Sequence, residues 1–123
     1  MTASDLRPLF VFGTLRRGAR NHHLLAGRYE RCFPARLPGF ERHQPLMIRR
    51  KSGRQVRGEL FFFSPDLYEQ VMRDCDRLEE IPPGKQFGWQ YRRLLVRVLT
   101  PVGPQLAWAY VRTQTTTMIP RSS

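Results

Sequence analysis

One stretch of the chain has the spacing of a helix, and most of the rest has the spacing of strands. In "SPDLYEQVMRDCDRLEE", residues 64–80, Leu67, Val71, Met72, Cys75 and Leu78 recur at three- and four-residue intervals, which puts them on one buried face of a helix. Ser64 reads as its N-cap, Pro65 as its first residue, and Asp66 as a complement to its dipole. The remaining apolar runs are short. Residues 9–12 form a compact strand that stops at Gly13, and "NHHLLAG" suits a short helix capped by Asn21 and stopped at Gly27. "YERCFPARLPGFERH" carries Pro34, Pro38 and Gly39 and is therefore extended. "QPLMIRR" reads as a strand and "KSGR" as its turn. In "QVRGELFFFS", Val56, Gly58, Leu60 and Phe62 share a face. "YRRLLVRVLT" and "PQLAWAYVR", joined by "PVG", form a terminal strand pair in which Trp108 and Tyr110 share a core-facing side.

One main helix that does not alternate with five or six strands argues against a doubly wound parallel sheet. The economical arrangement packs the helix on a curved or closed sheet, giving an α+β fold built on a small mixed β-barrel, with a parallel β-α-β element from strand 9–12 still compatible. The 123 residues suit one domain, expected over 1–112, followed by a tail over 113–123 with no clear period. No apolar run approaches the ~20 residues that cross a bilayer, so no membrane partner is expected. The start of the chain lacks signal-peptide features, and Cys32 and Cys75 have no metal-ligand spacing, so the expected location is the cytoplasm with both thiols reduced.

The formal charge is +11, and all but Lys51 and Lys85 of the 21 basic residues are arginine. Such a surface attracts polyanions weakly and in a salt-dependent way. The arginines are scattered and no nucleic-acid motif accompanies them, so no specific nucleic-acid partner is expected, although a basic binding module remains an alternative. His22 and His23 lack a suitably spaced third ligand, and no metal site is expected.

Two constellations carry chemistry. In "LFVFGTLRRGARNHHLL", residues 9–25, a strand runs into Gly-Thr-Leu. Gly13 either turns the chain or lets backbone N–H groups approach a ligand, with Thr14 adding a hydroxyl. In "CDRLEEIPPG", Glu79 and Glu80 stand at the C-terminal end of the helix, where the dipole disfavours negative charge. They are either a solvated pair or a carboxylate with a raised pKa suited to proton transfer. Asp76, three residues earlier, can share that side.

Taken in order, "LFVFGTLRRGARNHHLL", "VRGELF", "DRLEE", "YRRLLVRV" and "AWAYV" resemble the gamma-glutamylcyclotransferase-like family, which includes the AIG2-like and gamma-glutamylamine cyclotransferase proteins. The resemblance implies a small mixed barrel with a cavity at the Gly-Thr-Leu loop. It implies that Phe12, Gly13, Thr14 and Leu15 bind a small γ-glutamyl substrate, with Tyr91 opening the following strand and Glu79 as acid/base. The implied reaction is attack of the substrate's α-amine on its own γ-carbonyl, releasing 5-oxoproline and an amine, with no cofactor or metal. The pattern departs from the family where Phe12 replaces a tyrosine and Glu80 replaces a glycine. The loop before Tyr91 is also longer and carries Phe87 and Trp89. A ligand-binding protein of the same fold without catalysis is the alternative raised by Phe12. The leaving amine and the oligomeric state are not legible.

Overall fold

The structure is a computed structural model that describes residues 6–44, 47–82, 88 and 91–112. Five strands are described: β1 (Leu9–Val11), β2 (Tyr29–Gln44), β3 (Met47–Phe63), β4 (Tyr91–Thr100) and β5 (Gly103–Arg112). They close a barrel in the order β1-β3-β2-β4-β5, with one helix, α1 (Tyr68–Leu78), between β3 and β4. The fold is α+β, as the strand-rich pattern predicts.

The parallel contact that closes the barrel joins β1 to the last strand, with Leu9 opposite Trp108. β1 also runs antiparallel to β3, with Val11 opposite Glu59. β1 is therefore buried on both faces, which is why its apolar residues run without alternation. Inside the barrel lie Phe10, Leu37, Val56, Leu60, Val96 and Val98. On the outer face, Leu9, Val11, Phe61 and Tyr110 pack against Val71, Met72 and Cys75 of α1. Both cysteines are free, and burial pushes the Cys75 thiol up to about 12.

Three sequence expectations need correction. "KSGR" does not end a strand. Pairing passes from Pro38↔Gln55 to Phe40↔Arg50, so residues 51–54 bulge out of one continuous β3 opposite Gly39. Gly39 and Gly53 take φ of +84° and +81° there, and the bulge re-aims Phe40 into the barrel. The helix begins later than Pro65. Leu67 N–H donates to Ser64 O in a turn, no side chain caps α1, and its buried face is Tyr68, Val71, Met72 and Cys75. Leu67 and Leu78, expected on that face, are 38% and 36% exposed. "NHHLLAG" makes only a 3-10 turn, His22–Leu24, and Asn21 does not cap it. Phe87, Trp89 and the tail 113–123 lie outside the described residues.

Candidate active site

β1 delivers the chain to the barrel rim at Phe12, where a cavity of about 220 Å³ opens. Phe12, Gly13, Thr14 and Leu15 line it, and Glu79 and Tyr91 reach it from α1 and β4. All six residues singled out in the sequence therefore border one space. Arg20, Asn21 and Tyr110 border it too.

The loop is held by its carbonyls. Phe12 O accepts from Arg42 Nη1 at 3.1 Å. Gly13 O accepts from the Arg16 N–H at 3.1 Å and from Arg16 Nε at 3.0 Å. Thr14 O accepts from the Asn21 N–H at 2.9 Å, and Leu15 O lies 2.9 Å from His22 Nδ1. The N–H groups of Gly13, Thr14 and Leu15, by contrast, donate to no protein acceptor among the described residues. With the acceptors tied down, the successive donors at the cavity wall are left for a ligand oxygen, as in backbone anion-binding loops. The Thr14 hydroxyl accepts from Asn21 Nδ2 at 2.9 Å, so its own proton can still be donated. Gly13 does not use a left-handed φ.

Glu79 is placed by the way the helix ends. The Ile81 N–H donates to Asp76 O at 2.8 Å and the Glu80 N–H to Arg77 O at 3.0 Å, the paired bonds of a Schellman motif. Ile81 is buried, supplying the apolar contact that usually accompanies this motif. The motif needs a left-handed residue, and Glu80 takes it at φ 58°. That conformation costs a non-glycine roughly 1–2 kcal/mol. Glu80 is consequently exposed, whereas Glu79, at the C-cap, borders the cavity. Burial raises the Glu79 carboxyl to about 7, and no charge among the described residues offsets it. Gly88 packs against the same turn, since a Cβ there would collide with Glu80 O.

Asp76 does not join Glu79. Its carboxylate accepts from the Tyr110 hydroxyl at 2.6 Å and from Arg93 Nη1 at 2.9 and 3.1 Å. Burial raises its pKa although both partners pull the other way. This network fixes the Tyr110 ring that walls the cavity. The sequence signal for Tyr110 as a site residue is weak, because an aromatic on a core-facing side of a strand reads as core. Asn21 read as a helix cap for a similar reason.

Comparison with known proteins gives the family and the fold. The family described as gamma-glutamyl cyclotransferase, AIG2-like matches residues 9–122. No curated protein sequence matches the chain. The fold is shared with YkqA from Bacillus subtilis, at 24% identity and a TM-score of 0.66, covering 95% of this chain and 43% of YkqA. It is also shared with the Arabidopsis thaliana protein At3g28950.1, at 19% identity and a TM-score of 0.65, covering 89% of this chain and 63% of that one. A solved gamma-glutamyl cyclotransferase superposes with a TM-score of 0.54 at 14% identity, covering 85% and 65% of the two chains. The chain thus spans less than two thirds of the first two structures. It belongs to the gamma-glutamyl cyclotransferase, AIG2-like family.

Proposed function

We propose that this chain is a cyclotransferase that converts a small γ-glutamyl compound into 5-oxoproline and a free amine. The observation that carries the reading is the pairing, in one cavity, of unclaimed backbone donors with a single carboxylate lifted by burial to about 7.

In this reading the substrate's γ-carbonyl oxygen sits on the N–H groups of Gly13, Thr14 and Leu15. Ionised Glu79 takes a proton from the α-ammonium, and the freed amine attacks the γ-carbon. The new C–N bond closes a five-membered ring and puts negative charge on the oxygen, where the loop donors stabilise it. As the C–N bond to the departing group breaks, Glu79 passes protons from the ring nitrogen to the leaving nitrogen. Two protons leave the α-nitrogen in all, both end on the departing amine, and no water is consumed. A base with a pKa near the working pH suits both halves of that relay. Attacker and target are already tethered, an arrangement whose effective molarity reaches ~10⁵ M or more. Phe12 and Tyr91 serve as walls that orient the substrate.

Release of 5-oxoproline from a panel of γ-glutamyl amines and γ-glutamyl amino acids tests the reading. Turnover of at least one member is expected. Phe12 brings no hydroxyl to the cavity, which favours a second reading as a ligand-binding protein without turnover. Saturable binding without 5-oxoproline would select that reading, and neither binding nor release would overturn both.

A further inference from the structure

A second cavity, of about 430 Å³, opens on the opposite face of the same strand end. Successive side chains of β4 point to opposite faces, so Tyr91 borders the first cavity while Arg92 and Leu94 border the second. The row Leu94, Val96, Val98 packs on the barrel interior, and Arg92 continues that row at the open end. Across from it, the bulged β2–β3 ribbon brings Phe40, Ile48 and Arg50 to the same space.

The floor is apolar and fixed: Phe40, Ile48 and Val111 are 6%, 1% and 3% exposed. The rim is cationic. The Arg50 guanidinium lies 5.0 Å over the Phe40 ring. Arg49, also on the rim, is held by Glu41 at 2.8 Å. Arg50 and Arg92 have no acidic partner within ion-pairing distance among the described residues. Arg92 Nε is buried and donates to no acceptor among the described residues. Two guanidinium charges without a counter-charge beside an apolar floor favour an anionic ligand.

We infer that this second cavity binds a small organic anion, with an oxyanion head, phosphate or carboxylate, on a flat apolar body. The head meets the Arg92 and Arg50 guanidinia, whose forked donors suit two-oxygen groups. The body covers the Phe40, Ile48 and Val111 floor. A bare inorganic ion would leave that floor wet, and an uncharged aromatic would leave both guanidinium charges without a counter-charge. The inference stands apart from the cyclotransferase reading, because none of these side chains borders the first cavity.

The test is an amide chemical-shift titration of the whole chain at fixed ionic strength with phenyl phosphate, benzoate, inorganic phosphate and phenol. Phenyl phosphate or benzoate should saturate shifts at Phe40, Ile48, Arg50, Arg92, Leu94 and Val111. Inorganic phosphate and phenol should each need about tenfold more ligand or show no saturation. Whichever of the two anions binds identifies the head. Arg92→Met should weaken binding roughly 10- to 100-fold, the range for losing a charge-assisted hydrogen bond. Should that variant not fold, Arg50→Gln, at an exposed position, should weaken binding in the same direction. The inference is overturned by an absence of saturable shifts, by equal affinity for inorganic phosphate, or by affinity unchanged in the variants. Shifts confined to Gly13–Leu15 and Glu79 would overturn it as well.

Discussion

Replacing Glu79 by glutamine should make the protein more stable at alkaline pH, and the size of that gain follows from burial. The carboxyl rises from its ordinary 4.5 to about 7 because burial penalises its ionised form. That shift corresponds to at most ~3 kcal/mol between the two protonation states. The cavity mouth admits water, which screens the charge and reduces the expected effect to about 1–2 kcal/mol. The sign follows from the raised folded pKa. Below 4.5 the group is neutral in both states and its burial costs nothing extra. As pH climbs through about 7 the folded protein must hold a buried anion, and stability is lost. Glutamine does not titrate and avoids that loss. Glu79→Gln should therefore melt about 3–8 °C above wild type at pH 8.5, with the gap closing toward pH 4. Thermal melts followed by circular dichroism across that range measure it. A gap independent of pH, or a variant less stable at pH 8.5, would refute the claim that Glu79 is a partly buried carboxylate with no charged partner among the described residues.

Other expectations follow from the same geometry. Glu80→Gly relieves the positive φ at the helix end. Net of the extra freedom glycine gains when unfolded, it should raise stability by about 0.5–1 kcal/mol in urea titrations without changing turnover. Gly58→Ala would drive a methyl into Val11 O and the Phe10 ring where β1 meets β3, and should cost about 2 kcal/mol or more in the same titration. With any turned-over γ-glutamyl substrate, kcat/KM should fall on the acid side of an apparent pKa of about 7 as Glu79 takes up a proton. A flat profile between pH 5.5 and 8 would contradict the assigned base.

Much of the fold is readable from pattern. The single three-and-four period marks α1, the compact "LFVF" run marks β1, and the shared face of Val56, Gly58 and Leu60 marks β3. The bulge at 51–54 is not legible, because Gly53 signals a turn whether the chain reverses or only kinks. The start of α1 is displaced from its sequence signal, because Ser64 and Pro65 carry the marks of a helix start but form a preceding turn. The closing contact between β1 and β5 is a non-local pairing with no local signature. At the site, Gly13–Leu15 and Glu79 stood out as breaks in pattern, a strand stopped by glycine and acids at the wrong end of a helix. Arg20, Asn21 and Tyr110 break no pattern, and only the fold brings them to the cavity. The substitution of Glu80 for glycine is resolved by its φ of 58°, since the glutamate takes the backbone conformation that glycine would adopt.

The central claim is that Glu79, which shares a cavity with the Gly13–Leu15 loop, moves the proton that cyclotransfer requires. Its most direct test is 5-oxoproline release by wild type, Glu79→Gln and Glu80→Gln on one substrate at pH 7.5, with folding checked in parallel. The account predicts a loss of ~10²-fold or more in kcat for Glu79→Gln and near wild-type turnover for Glu80→Gln. Equal turnover by wild type and Glu79→Gln, or an equal loss in both variants, would contradict it.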